Sequence, residues 1–185
     1  MISIIGLKHD LQFRQNNIDQ TAAAVQEENS RAFLPYLEGL LLSKEIQVAG
    51  EEGGIGLVLN EFIKERFNCE KTFLQEVIAN TGIEYFQFDL PRDQLKIYNI
   101  RPNLENILKN KSQVPGEDRE RWFYKIISQK IPREANGLII IGLDHMLNLA
   151  NVLTSNSYTT KCIDATKFSW YKDPQQAALN NFFNT

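Results

Sequence analysis

Two stretches of the chain read almost alike: Ile4-Ile5-Gly6-Leu7-Lys8-His9-Asp10-Leu11 and Ile140-Ile141-Gly142-Leu143-Asp144-His145-Met146-Leu147. Between them they hold both histidines of the 185-residue chain. Each is a β-branched apolar run, then glycine, then histidine three residues on. A short continuous apolar run bounded by glycine is the pattern of a buried strand. The glycine marks the expected turn at its end. A histidine just past that turn is expected at the edge of a sheet, where open α/β folds place their ligands.

Working outward, residues 2–6 read as the first strand and 46–50 as the second. Residues 83–88, 137–141 and 158–163 read as the third, fourth and fifth. Between them, Phe33, Leu34, Leu37, Leu40 and Leu41 fall at helical spacing, with Asn29 or Ser30 as the expected cap and Pro35 in the first turns. Residues 10–30 before that helix are polar and Gln/Asn-rich and read as a loop or a weak helix. Further helices are expected at 56–67, 70–80, about 118–130 and 145–153, whereas 92–110 reads as irregular. Strands alternating with helices predict an α/β fold: a single three-layer domain, residues 1–185, with a mostly parallel central sheet and helices on both faces. The tail, 170–185, carries Trp170, Phe182 and Phe183 and is expected to pack back on the body or to meet a partner.

Composition narrows the classes. Hydrophobic residues make up 43% and charged residues 23%, which is globular rather than disordered. A net charge of −3 argues against nucleic acid or an anionic membrane as partner. No run of ~18 apolar residues is present, so no spanning helix is expected. The N-terminus lacks the basic region of a secretory signal, which makes the cytoplasm the expected compartment. Cys69 and Cys162 lie far apart without CxxC spacing, and read as a pair of small buried thiols. There is no GxGxxG after the first strand, no P-loop, no Gly-x-Ser-x-Gly elbow and no HExxH helix.

What remains is positional. His9, the pair Glu51-Glu52, Asp89, and the pair Asp144-His145 each follow a strand in this reading. In a parallel sheet those ends share one edge. Two imidazoles and several carboxylates suit a divalent metal or metal-free acid–base chemistry. The charged stretch Glu117-Asp118-Arg119-Glu120-Arg121-Trp122 opens a helix. An arginine there, Arg119 ahead of Arg121, is placed to hold a carboxylate in two-point fashion.

This order of motifs resembles the superfamily that includes TraB/PrgY proteins, Tiki proteases, erythromycin esterases and ChaN-like haem-binding proteins. The likeness rests on Gly6 and His9, Glu51 and Glu52, Arg119, and Gly142 and His145. It is nearest to small bacterial members of the group and spans residues 2 to about 163. Glu120 stands where the group often has Asn after its arginine. The resemblance implies a hydrolase acting on a small molecule or peptide, either metal-dependent and peptidase-like or metal-free and esterase-like. The alternative is a non-catalytic module holding a metal, haem or a peptide. His9, Glu51, Glu52, His145 and Arg119 are the expected catalytic set, supported by Asp89, Gly6 and Gly142. In the metal version His9, Glu52, His145 and Asp144 supply the ligands, for Zn, Mn or Co.

Overall fold

The computed structural model describes residues 1–8, 11–15 and 19–177. Five strands form one sheet in the order β3-β2-β4-β1-β5. They are β1 (Ile2–Leu7), β2 (Val48–Glu52), β3 (Glu84–Phe88), β4 (Gly137–Gly142) and β5 (Thr160–Asp164). Every pairing among them is parallel. The two near-identical stretches lie side by side: Gly6 pairs with Ile141 and Leu7 with Gly142. Strands covered on both faces explain the unbroken apolar runs, since inward and outward positions are equally buried.

Helices α1 (Gln20–Ser43) and α3 (Phe73–Ile78) cover one face, where Ile5, Ala49, Leu138 and Ile140 meet Phe33, Leu37 and Phe73. Helices α5 (Gly116–Lys130) and α6 (Leu143–Ser155) cover the other, where Ile4, Val48, Phe86, Ile139 and Ile141 meet Phe123, Ile127 and Leu149. Two shorter helices, α2 (Leu59–Phe67) and α4 (Leu104–Asn110), sit beyond the strand ends with 3₁₀ turns at Ile55–Leu57 and Arg92–Tyr98. The three-layer α/β architecture is therefore as the pattern predicts.

The first helix differs from its expected bounds. It begins ten residues earlier, capped by Asp19, whose side chain accepts from the N–H groups of Thr21 and Ala22. Asn29 and Ser30 are interior residues, and Pro35 lies mid-helix rather than in the first turns. The reason is that its buried stripe starts with polar residues. Gln26 accepts from the Gln15 N–H and donates to the Phe13 carbonyl; Ser30 donates to the Gln26 carbonyl. Asn29 bonds both the N–H and the carbonyl of Lys172. A stripe that satisfies neighbouring backbone does not show as apolar periodicity.

Those Asn29 bonds also anchor the tail, whose Phe168 and Trp170 pack on Tyr36 and Phe33. Phe182 and Phe183 lie outside the described residues. The stretch 92–110, expected to be irregular, contains the 3₁₀ turn and α4.

The glycines of the paired stretches serve close approach rather than turning. A Cβ on Gly6 would lie 2.7 Å from Met146 Sδ and 3.0 Å from Leu143 Cδ1, so glycine lets α6 settle on β1. Gly50 is tighter still: an added Cβ would meet the Phe86 ring at 2.5 Å. Gly50→Ala is expected to cost about 1–3 kcal/mol by overpacking, read from the urea midpoint at unchanged slope.

Candidate active site

The sheet order places the site. β2 feeds α3 on one face, whereas its neighbours β3 and β4 feed α5 and α6 on the other. The C-terminal end of β2 therefore sits where the chain departs in opposite directions, the crevice that α/β folds use for ligands.

Because side chains alternate along a strand, the two adjacent glutamates part company. Glu51 and Glu52 are the last residues of β2 rather than following it, and each turns to a different face. Glu51 is fully buried on the α1/α3 side. It accepts from the Tyr85 hydroxyl, from Thr72 Oγ1 at 2.7 Å and from Gln12 Nε2 at 3.5 Å. Burial pushes its carboxyl above the usual range, against these hydrogen bonds. Burial and the neighbouring Glu51 raise the Tyr85 phenol as well. Thr72 is held in place because it caps α3, in a reciprocal box with Gln75.

Glu52 turns to the α5/α6 side and joins a four-residue cluster. Arg119, in the first turn of α5, grips Asp89 at two points: Nε to Oδ1 at 3.1 Å and Nη2 to Oδ2 at 2.5 Å. Its Nη2 also donates to Glu52 Oε1 at 2.5 Å, and Nη1 donates to His145 Nε2 at 3.2 Å. Glu52 Oε2 accepts from the Gly142 N–H at 2.8 Å. A Cβ on Gly142 would stand 3.1 Å from that same oxygen, which is the physical reason for glycine there. Asp89, fully buried, also accepts from the Leu90 N–H at 2.7 Å.

Arginine only donates, so the Nε2 that faces it must present its lone pair. The proton of the neutral ring is then on Nδ1, which lies 3.3 Å from Glu120 Oε1. The Phe123 ring meets the imidazole edge-on at 5.4 Å. Glu120, Arg119 and Phe123 share one face of α5, and Glu120 is held further by Asn148 Nδ2 at 3.1 Å. The carboxylate that partners His145 is thus Glu120. Asp144 is exposed in the first turn of α6, where a negative charge suits the helix dipole. Arg121 points outward and pairs with Asp118.

Charge and burial oppose each other here. Burial is the largest influence on Asp89 and raises it to about 6, although Arg119 pulls it down. Burial also acts on Glu52, but Arg119, the Gly142 N–H and His145 together hold its carboxyl below the ordinary range. A raised carboxyl stabilises the fold below its unfolded value and loses that contribution as pH climbs. For Asp89 the loss falls between 3.8 and about 6. The stability of Asp89→Asn relative to the parent should therefore improve from pH 4 to pH 7, checked by urea unfolding across that range. A gap that widens with pH would contradict the assignment.

No group of three or more His, Cys, Asp or Glu placed for a cation occurs among the described residues. Glu52 and His145 both turn polar atoms to Arg119, so the guanidinium already occupies the position between them. His9 lies outside the described residues. No helix among them is long and apolar enough to cross a membrane.

Beside the cluster opens a cavity of about 400 Å³, with Glu52 and Arg119 in its lining. No family model, curated protein or solved structure matches this chain.

Glu120 was not singled out from sequence, although a signal existed. Arg119, Glu120, Phe123, Ile126 and Ile127 stand at the spacing of a single helix face. Two charged residues on an otherwise apolar stripe mark a buried polar site.

Proposed function

We propose that the chain is a metal-free hydrolase in which His145 activates water and Arg119 stabilises the oxyanion of an acyl substrate. The observation that carries this reading is the line Glu120–His145–Arg119. A carboxylate meets Nδ1–H, and the opposite ring nitrogen presents its lone pair beside a guanidinium. Such an imidazole is ready to accept a proton at Nε2, and its carboxylate partner steadies the imidazolium that results.

The reaction balances with groups in place. His145 Nε2 gives up the Arg119 donor for water and takes its proton, and the oxygen attacks the acyl carbon. The carbonyl electron pair moves to oxygen and is met by Arg119. Collapse expels the alcohol, which takes its proton from the imidazolium. Glu52 and Asp89 stand against Arg119 and Glu120 against His145, so the additional cation is compensated. Arginine carries five N–H bonds. Four reach Asp89 (twice), Glu52 and His145, leaving one on Nη1 without an acceptor among the described residues. That donor is available to the oxyanion.

The test is hydrolysis of a panel of p-nitrophenyl and aliphatic esters by the purified chain. Turnover should fall at least about a hundredfold in His145→Ala while the variant stays folded. A loss of less than about tenfold, or no turnover of any ester by the parent, sinks the proposal. A second reading, a binding module on the same scaffold, is favoured by how fully Arg119 is engaged. It predicts stoichiometric ligand binding without turnover.

A further inference from the structure

The cavity beside Glu52 and Arg119 is walled by Phe13, Ile55, Leu59, Phe62, Phe67 and Ile107. The aromatic members touch one another: Phe67 lies 5.5 Å from Phe13 and 5.6 Å from Phe62 between ring centroids. Lys111 and Gln175, both exposed, also line it and mark its mouth. At about 400 Å³ it is a small-ligand site, at the lower end of the range of roughly 300–1,000 Å³. A mainly apolar wall that meets Glu52 and Arg119 suits an apolar group joined to a reacting polar one.

We propose that the site takes esters of apolar acyl groups, medium-chain alkyl or aryl, with the acyl portion seated in this cavity. The inference rests on the hydrolase reading and adds the substrate class. Its direction follows from where the proton must go. The leaving alcohol collects a proton from His145, which lies on the far side of Arg119 and does not line the cavity. The alcohol therefore departs on the His145 side, where the imidazole is partly open to solvent. The substituent left to fill the apolar chamber is the acyl chain. Phe13 comes from the segment after β1, Ile55 through Phe67 from the segment after β2, and Ile107 from α4. Three connections thus converge on one chamber at the same sheet edge as the cluster.

Two measurements test this. The first is kcat/KM for p-nitrophenyl acetate, butanoate and hexanoate. It should rise about threefold to fourfold for each added methylene, the transfer preference of a buried CH₂. A flat or falling series overturns the proposal and leaves the hydrolase reading standing. The second is calorimetric titration with octanamide, an uncharged acyl analogue, into the parent chain and Leu59→Trp. Binding to the parent that is lost in the variant supports the cavity. Absence of binding to the parent overturns it. If octanamide binds but no ester is cleaved, the hydrolase reading fails and the chamber stands as an acyl-binding site.

Discussion

Replacing Arg119 by alanine is expected to destabilise the fold by about 3–5 kcal/mol at neutral pH, the cost of stranding buried charge. The guanidinium is the cation that Glu52 and Asp89 share, and their side chains are only 10% and 0% exposed. Removing it leaves two carboxylates facing each other with little water. Both should then protonate at higher pH than in the parent. A raised carboxyl loses its stabilising contribution as pH climbs, so the deficit should be largest above neutrality and shrink in acid. Urea unfolding of parent and variant at pH 5 and pH 7.5 reads this directly. A deficit independent of pH would assign the loss to the guanidinium's contact with the Phe123 ring instead. Arg119→Lys should fall between the two, because an ammonium retains the charge but not the two-point grip on Asp89.

Replacing His145 by alanine is expected to lower kcat/KM for the best ester by about 10²–10⁴, the usual share of a general base. The imidazole is only 22% exposed and meets Phe123 edge-on, so His145→Gln, which keeps more of its volume, is measured beside it. Glu120→Gln should lower the rate by at least about tenfold, since a carboxylate partner fixes the tautomer of a catalytic imidazole. A glutamine amide can turn its NH₂ toward Nδ1 and favour a proton on Nε2, which leaves no lone pair there to take the proton of water. Glu51→Gln is the control. Its carboxyl sits on the opposite face among Tyr85, Thr72 and Gln12, so its kcat/KM should stay within about twofold of the parent. Equal losses in Glu51→Gln and Glu120→Gln would mean that activity follows general stability and not the imidazole.

Much of the fold was legible because parallel strands buried on both faces leave a direct mark on the chain. The runs 2–6 and 137–141 match β1 and β4 to within a residue. The start of α1 was hidden because Gln26, Asn29 and Ser30 hold backbone groups where apolar residues would normally announce a helix face. At the site, Glu52, Asp89, Arg119 and His145 were all named from sequence, and the structure brings them together. Asp144 was the carboxylate expected beside His145, since it precedes it in the chain. On a helix, neighbours in sequence point about 100° apart, and the partner came instead from α5. Glu51 and Glu52 looked like one feature and are two, because a strand sends consecutive side chains to opposite faces.

The paired GxxH stretches by themselves determined that two buried strands end at one edge of a parallel sheet with polar residues beyond them. That information is local: apolar runs, glycine and the order of motifs. Only the tertiary structure decided which of those polar residues meet. Distances of a few ångström between β2, β3, α5 and α6 depend on strand order and helix placement. Those are settled by packing across residues far apart in the chain, including a glycine at 142 that lets Glu52 reach the β4 end. The same packing set the Arg119 guanidinium between Glu52 and His145.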